Sequence, residues 1–363
     1  MSEDRPDRRV KGRLSAPGRL SNADGLSGGT VLEAEGGRVD EMLPPGPLDE
    51  FATQHGLRPS AQRPPVRDYI RQLRLRWNFI LAFATARNIA MYTEAKLGQL
   101  WQVLTPLLNA AVYFLIFGIL LHVSRGIENY LAYLVIGVFV FNFTQRAFIS
   151  TSKVIADSLP LIRALQFPRA ALPLAYVIIE FQQMLLSMAV LVVIVLATGE
   201  PLTWYWLLAI PALLLQTVFN VGVGLFVARI GSQVNDFSQL LPFLLRTWMY
   251  MSGVLFSIAT LSVRTHRWIV YVLQINPAAL YITLMRSSLL ETVRQAEPGS
   301  KPYNKALCAL WNTKAPKYYH DATYCHRYAD PSYFWYYAIG WAAVALVVGF
   351  FFFWRAEAKY GRG

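Results

Sequence analysis

Six long apolar runs limit what this chain can fold into. A hydrocarbon core about 30 Å thick is crossed by roughly 20 helical residues, and each run is at least that long. Lipid offers no hydrogen bonds to the backbone, so segments of this kind fold as helices. The runs are Trp101–Val123, Tyr130–Ser150, Leu174–Ala197, Trp204–Ala228, Phe237–Leu261 and Tyr333–Trp354. We therefore expect an all-α polytopic membrane protein with six transmembrane helices.

The composition favours a membrane protein and argues against a nucleic-acid-binding one. Of the 363 residues, 55% are hydrophobic and 15% are charged, which is more apolar than a globular domain requires. The formal net charge is +12, but many basic residues flank the apolar runs and form no dense patch within a folding motif. We expect no nucleic-acid partner.

Residues 1–64 alternate charges with Gly, Pro and Ser, as in GLSGGT and LPPGP. Such a segment cannot bury enough apolar surface to offset the loss of backbone entropy, so we predict a disordered cytosolic tail. It contains no continuous apolar core of a secretory signal, and we expect the first apolar run to direct insertion.

Residues 65–99 are predicted to contain an amphipathic helix that lies in the membrane surface. Apolar residues recur there at helical spacing, while Arg71, Arg74 and Asn78 fall on the opposite face. A shorter helical stretch, Arg87–Lys96, leads to the first run. The apolar positions are Tyr69, Ile70, Leu73, Trp77, Ile80 and Leu81. A soluble helix packed on a partner is the alternative.

A seventh apolar stretch, residues 268–290, is interrupted by Gln274, Asn276 and Pro277. Proline removes a backbone donor and breaks a helix, which leaves two half-length pieces. We expect a re-entrant helical hairpin within an outer region, 262–332.

The distribution of basic residues supports six spans. Both termini and the basic connection between the second and third spans then lie in the cytosol, in agreement with the positive-inside rule. Seven spans would place the C-terminal tail outside. The predicted organisation is therefore five spans within residues 100–261, then the outer region, then a sixth span with a cytosolic tail over 333–363.

Two cysteines, Cys308 and Cys325, then face an oxidising compartment. A disulfide between them would close a loop of about 16 residues and is nominally worth about 3 kcal/mol in the chain-entropy model. Two unpaired thiols are the alternative.

A short, basic segment with two prolines, ALQFPRAALP, lies in the cytosolic connection. Pro160 suits a helix start, Leu161–Phe167 makes two turns and Pro168 stops the helix. A stiff helix projecting from the membrane could be gripped by a soluble motor protein. The residues for that contact are Leu161, Ile162, Arg163 and Phe167. A surface helix that only covers the bundle is the alternative.

The sequence shows no phosphate-binding loop, no pair of carboxylates within an apolar run and no histidine cluster. We expect no catalytic residue, no metal site and no cofactor in this chain. Glu180, beside Gln182 and Gln183, is the one ionisable residue that we place deep in a run. An interhelical hydrogen bond or a position near the headgroups would account for it. A polytopic protein of this kind most often moves or holds something.

The amphipathic helix is followed by Y-x4-LG-x2-W-x4-P, a basic hinge with FPR-x2-LP, an outer hairpin with NP, and a final span. This order resembles the membrane subunit of ABC-type polysaccharide exporters, the Wzm and teichoic-acid permease family, over about residues 65–360. The matching residues are Tyr92, Leu97, Gly98, Trp101, Pro106, Leu161, Phe167, Pro168, Arg169, Leu172, Pro173, Asn276, Pro277 and Arg286. The chain departs from the family pattern in its less basic RNIAMYTEAKLG and in Asn235-Asp236, where an Arg-Asp pair is common.

The resemblance implies a homodimer of this chain with two copies of a separate nucleotide-binding ATPase subunit, which holds ATP and Mg. The hinge, residues 155–168, would be the coupling helix and the amphipathic helix the interface helix, in a bacterial inner membrane. The implied coupling residues are Leu161, Ile162, Arg163, Phe167 and Arg169. The implied cargo is a glycan on a polyprenyl pyrophosphate. The tail, the aromatic spans and the cysteine-bearing loop look most like the exporter of lipid-linked galactan in bacteria with an arabinogalactan cell wall, although O-antigen and teichoic-acid exporters share the architecture.

Aromatic rings in the spans offer stacking surfaces to a sliding glycan. The candidates are Tyr113, Phe117, Phe139, Phe141, Phe143, Trp248 and Tyr250, with Arg87 and Lys96 as candidates for the pyrophosphate at the cytosolic mouth. Packing between helices or against lipid is the alternative for each ring.

Two other functions are weighed. A membrane-embedded transferase would need acidic or histidine residues at a membrane face, and the best available are His320, Asp321 and Asp330, which look like loop residues. A passive scaffold or pore would need neither an ATPase partner nor the hinge.

Overall fold

The computed structural model describes residues 65–93, 97–120, 129–164, 167–234, 236–256, 272–273, 275–291, 293 and 332–357, which belong to one compact unit, Ser60–Gly363. The predicted N-terminal tail, most of the outer region and both cysteines lie outside these residues.

Every secondary-structure element among the described residues is helical, which confirms the all-α class there. The helices are α1 Val66–Leu75, α2 Trp77–Ala90, α3 Trp101–Tyr113, α4 Tyr130–Asp157, α5 Leu159–Ala164, α6 Ala171–Ala197, α7 Ala209–Gln233, α8 Phe237–Met251, α9 Pro277–Leu289 and α10 Ser332–Arg355. Phe114–Leu120 continues α3 with π-helical hydrogen bonding. Short 3-10 segments, Gly98–Leu100 and Trp204–Leu208, precede α3 and α7.

Four of the six predicted spans are confirmed as helices long and apolar enough to cross a membrane. They are Tyr130–Asp157, Ala171–Ala197, Trp204–Gln233 and Phe334–Arg355. The first predicted span is helical from 101 to 120 and the fifth from 237 to 251, and both remain predictions as spans.

Helix α4 lies at the centre of the bundle. In the most apolar 18-residue stretch of α4, 78% of the residues are buried, against 28% for the corresponding stretch of α10. Helix α4 therefore packs on all sides, and α10 lies at the periphery. The large rings of Phe139, Phe141 and Phe143 fill the core around α4.

Helices α7 and α10 approach each other closely at Gly222 and Gly349. A Cβ built on Gly349 would overlap the carbonyl oxygen of Gly222, and one on Gly222 would overlap the backbone of Ala345. Small residues are what allow such close backbone contact between membrane helices. The crossing therefore depends on glycine at both positions.

The predicted amphipathic helix is divided into α1 and α2 at Arg76, where the backbone (φ −99°, ψ 15°) departs from helical values. Because of this break, the predicted apolar face does not stay on one side. Tyr69 and Ile80 are buried, whereas Trp77 is 46% exposed.

The predicted helix break at Asn276 is confirmed. The Asn276 Oδ1 accepts a hydrogen bond from the Ala278 backbone N–H at 3.1 Å, and Pro277 occupies the first helical position, where its missing N–H is harmless. Helix α9 is buried along most of its length. The first half of the expected hairpin falls largely outside the described residues, so the hairpin itself remains a prediction.

Candidate functional site

The predicted coupling segment forms α5 and the bend that follows it. Ile162 is 8% exposed, Leu161 is half-buried and Arg163 is exposed. Phe167, expected in the second turn of the helix, lies instead in the bend, with its ring centroid 6.0 Å from that of Phe79 on α2. One side of the segment is thus anchored to the bundle and Arg163 lies on the other.

Ile162 of α5 belongs to a buried apolar cluster that joins it to five other helices. The cluster contains Tyr69 of α1, Val154 and Ile155 of α4, Leu172 of α6, Leu225 of α7 and Phe353 of α10. A displacement of α5 would therefore act on the adjoining parts of α1, α4, α6, α7 and α10 together, because close packing transmits strain.

A second link joins the hinge to the end of α10 through Glu357. Its Oε2 accepts from the Tyr69 hydroxyl at 2.8 Å, and its Oε1 accepts from the Arg169 backbone N–H at 2.9 Å. The Arg169 guanidinium donates to the Glu357 backbone carbonyl, and the Ala170 backbone N–H donates to the Tyr69 hydroxyl at 3.0 Å. Three segments distant in sequence thus meet at one carboxylate, which we call the Glu357 network.

Glu357 is 7% exposed, and this burial raises the pKa of its carboxyl above the usual 4.5. Hydrogen bonds from the Arg169 backbone N–H and the Tyr69 hydroxyl, together with the Arg169 charge, act in the opposite direction and lower the pKa. The carboxylate therefore depends on these partners for its charged form.

Within the bundle, Arg146 of α4 and Glu180 of α6 form an ion pair, with Nε 3.5 Å from Oε2. The Arg146 Nη1 also donates to the Gln183 Oε1 at 3.1 Å. A charge inside a membrane span is costly unless it is paired, so these contacts explain how the apolar bundle holds an acid and a base.

The same polar groups bind α2 to α6. The Gln183 Nε2 donates to the Asn88 Oδ1 at 3.2 Å, and the Asn88 Nδ2 donates to the Gln182 Oε1 at 3.1 Å. The Gln182 Nε2 donates to the Thr85 Oγ1 at 2.9 Å. These hydrogen bonds fix α2 against the bundle.

Sequence reasoning identified Glu180 and its neighbouring glutamines but missed Arg146. The available signal was an arginine within FNFTQRAFIS, the last ten residues of the second apolar run. An interhelical hydrogen bond was one of the two interpretations given for Glu180, and its observed partner is a cation on another helix.

On the opposite end of the bundle, Arg286 of α9 is 3% exposed and donates to three backbone carbonyls. Its Nε donates to Tyr133 at 3.0 Å, its Nη1 to Gly253 at 2.8 Å and its Nη2 to Val254 at 2.8 Å. The guanidinium also lies 3.3 Å from the centroid of the Tyr133 ring. Arg286 therefore joins α9 to α4 and to the segment after α8.

The seven candidate glycan-stacking rings fall into two groups. Phe139, Phe141 and Phe143 are each 1% exposed or less, because they lie on α4, the central helix of the bundle. These three rings are therefore not at the surface of a single copy of the chain. Tyr113, Phe117 and Trp248 are half-buried, and Tyr250 is exposed. The Trp248 Nε1 donates to the Asn276 Oδ1 at 2.8 Å, which fixes its ring beside the start of α9.

Of the two candidates for the cytosolic mouth, Arg87 is exposed on α2, and Lys96 lies outside the described residues, as do Cys308 and Cys325. The part of the chain that the structure describes brings together no group of three His, Cys, Asp or Glu side chains suited to a metal ion.

Comparison with known proteins gives one family match and several related permeases. The family of ABC-2 type transporters matches residues 79–290. The O-antigen export system permease protein RfbA of Myxococcus xanthus is 25% identical over 223 residues, 61% of this chain and 84% of the relative. Two proteins of the same name come from Klebsiella pneumoniae. One is 28% identical over 181 residues, 49% of this chain and 69% of the relative. The other is 25% identical over 221 residues, 60% of this chain and 83% of the relative. The family match covers more than half of the sequence, so this chain belongs to the ABC-2 type transporter family.

Proposed function

We propose that this chain is the transmembrane subunit of an ATP-driven exporter that moves a lipid-linked polysaccharide across the bacterial inner membrane. The observation that carries the proposal is the similarity to three permeases named for O-antigen export, along 69% to 84% of their lengths. The family is one of membrane transport subunits that work with an ATPase, and the four membrane-length helices fit that role.

In the proposed assembly, two copies of this chain associate with two copies of a separate ATPase, and both termini of each chain lie in the cytosol. The ATPase, which binds ATP and Mg, contacts α5 and the bend after it. Arg163 is the exposed residue proposed for that contact, while Ile162 and Arg169 face the bundle and the Glu357 network. Movement imposed on α5 would then pass to α1, α6 and α10.

The polysaccharide would slide along aromatic side chains, because sugar CH faces stack on rings without a fixed register. Tyr113, Phe117, Trp248 and Tyr250 are the candidates that remain at least partly exposed. They lie on α3, its π-helical continuation and α8, the helices of the first and fifth predicted spans.

For the cargo we propose a polyprenyl-pyrophosphate-linked galactan used in cell-wall assembly. The aromatic spans, the long tail and the cysteine-bearing loop support this choice. O-antigen is the alternative cargo, favoured by the names of the relatives.

The proposal is tested by expressing the full chain with the neighbouring ATPase gene and measuring co-purification and ATP hydrolysis. We expect a complex with equal numbers of the two subunits and ATP hydrolysis that depends on a lipid-linked glycan. Galactan and O-antigen on the same lipid are then compared as stimulators. A chain that purifies without an ATPase, under conditions that preserve a known exporter complex, would refute the proposal.

A matched pair of variants tests the proposed ATPase contact. Arg163→Glu reverses an exposed charge on α5, and Arg74→Glu reverses an exposed charge on α1. We expect the Arg163 variant to lose the ATPase and the Arg74 variant to retain it, with both inserted normally. Full retention of the ATPase by the Arg163 variant would remove α5 from the interface.

A further inference from the structure

An arginine lies exposed on α8, in the middle of the fifth predicted apolar run. Arg246 is exposed together with Phe243, Thr247 and Tyr250, which share its side of the helix at helical spacing. It lies about 13 Å along the helix axis from the first residue of α8, at about 1.5 Å per residue. No hydrogen bond or ion pair joins its side chain to any other residue that the structure describes.

Helix α8 exposes apolar side chains such as Leu240 and Leu244, but Arg246 is exposed among them. Helices α6 and α10, which are long and apolar enough to cross a membrane, provide the comparison. Through their middle turns, α6 exposes Leu185, Leu186 and Val193, and α10 exposes Val344 and Val347. These are side chains suited to lipid, whereas an arginine within a span is costly unless it faces water or a counter-charge. The strip of α8 around Arg246 is therefore not an ordinary lipid-facing surface.

Helix α3 contributes to the same surface. The Tyr113 side chain lies within electrostatic range of both Tyr250 and Arg246. One turn before Tyr113, Asn109 is exposed as well. The guanidinium and the two phenol hydroxyls all donate hydrogen bonds, and this set of donors suits an anion with several acceptor oxygens.

The described apolar helices of a second copy of this chain offer no suitable counter-charge for Arg246. In the helices α3, α4, α6, α7, α8 and α10, the acidic residues are Asp157, the last residue of α4, and Glu180. Glu180 is buried and paired with Arg146. A second α8 would bring another Arg246, which repels the first. The charge balance therefore favours an anion supplied by the cargo.

We propose that Arg246, with the hydroxyls of Tyr113 and Tyr250, binds the phosphate or pyrophosphate group of a lipid-linked substrate within the membrane. This inference rests on the proposed function and adds a site to it. Arg246 acts as the bidentate donor, and the tyrosine hydroxyls bind the remaining phosphoryl oxygens.

The test measures binding to the full chain, in complex with its ATPase, in lipid nanodiscs. The probes are a fluorescent polyprenyl pyrophosphate, the polyprenol of the same chain length, and inorganic pyrophosphate. The variants are Arg246→Gln, Arg246→Lys and Tyr250→Phe, with Arg74→Gln as the control that removes an exposed arginine elsewhere. Each complex is first checked for assembly with the ATPase.

We expect Arg246→Gln to weaken polyprenyl pyrophosphate binding by about tenfold or more, since it removes a charge-assisted hydrogen-bond donor. Arg246→Lys retains the charge and should lose less, and Tyr250→Phe should weaken binding by about threefold, as expected for one neutral hydrogen bond. Polyprenol binding and the Arg74→Gln control should not change.

Unchanged binding in Arg246→Gln would overturn the site, as would an equal loss of polyprenol binding. Inorganic pyrophosphate that binds as tightly as the lipid would show a site for a soluble anion and would also overturn the proposal. These failures differ from failure of the proposed function, in which the wild-type chain does not assemble with an ATPase.

Discussion

The Arg146 guanidinium lies against the Glu180 carboxylate, with 3.5 Å between Nε and Oε2, and this pair joins α4 to α6 inside the apolar bundle. Gln183 binds both Arg146 and Asn88 of α2, so the pair is continuous with the hydrogen bonds that hold α2 on the bundle. A buried ion pair is weak support for stability by itself, but removal of one partner leaves the other charge uncompensated.

Arg146→Met is therefore expected to destabilise the chain by about 3 kcal/mol, the low end for a broken buried pair, because Arg146 is partly exposed. The double variant Arg146→Met with Glu180→Leu removes both charges and should recover most of that loss. Thermal unfolding of the purified chain in detergent measures both effects, with Arg74→Met as the control for loss of an exposed arginine. A double variant less stable than the single one would contradict the argument.

The crossing of α7 and α10 gives a prediction with a matched control on one helix. Gly349 and Gly340 both lie in α10, but only a Cβ at Gly349 would overlap the Gly222 carbonyl. At Gly340, no atom of the described residues lies within 4 Å of an added Cβ. We expect Gly349→Ala to destabilise the chain by about 2 kcal/mol through overpacking. Gly340→Ala should be neutral or stabilising by up to about 1 kcal/mol, because alanine is the better helix former. Equal effects in the unfolding assay would argue against the close crossing.

Much of the fold was predictable because it depends on local pattern. Apolar length predicted six spans, and four of them are helices of membrane length in the structure. The Asn276-Pro277 pair predicted a helix break, and a helix begins there. Segment length and proline chemistry act within one stretch of chain, so no knowledge of its neighbours was needed.

The contacts of the candidate site were less predictable because they join distant segments. Tyr69 and Glu357 are separated by 288 positions, and nothing in either local sequence indicates the other. Phe139, Phe141 and Phe143 illustrate the same limit. A continuous apolar run predicts a span, but whether a ring faces lipid, a channel or the core depends on which helices surround it.

Gly137 lies beneath the Arg286 guanidinium, and a Cβ at Gly137 would overlap the Arg286 Nη2. Gly137→Ala is therefore expected to displace Arg286 from the three carbonyls that it binds and to destabilise the chain by about 2 kcal/mol. Arg286→Lys should be destabilising too, because a lysine cannot reach three carbonyls in the planar geometry of a guanidinium. If both act on the same contact, the double variant should lose less than the sum of the two single losses in thermal unfolding. If the loss in the double variant equals the sum of the two single losses, Gly137 and Arg286 do not act on the same contact.

The Glu357 network predicts how stability depends on pH. Burial raises the pKa of Glu357 in the folded chain above 4.5, so the folded chain holds this proton more tightly than the unfolded chain does. The contribution of this group to stability is therefore greatest below pH 4.5, falls as the pH rises towards the folded-state pKa, and is constant above it. Tyr69→Phe removes a hydrogen bond to the carboxylate, raises the folded-state pKa further and should extend the decline to higher pH.

Glu357→Gln removes the titrating group, so the difference in stability between wild type and this variant isolates the pH dependence. Melting temperatures of the wild type, Tyr69→Phe and Glu357→Gln, measured in one detergent across a pH series from 4 to 8, test the prediction. The melting temperature of Glu357→Gln should rise relative to that of the wild type as the pH rises above 4.5, because only the wild type then carries a buried charge. A difference that stays constant across the series would mean that Glu357 has the same pKa in the folded and unfolded chains.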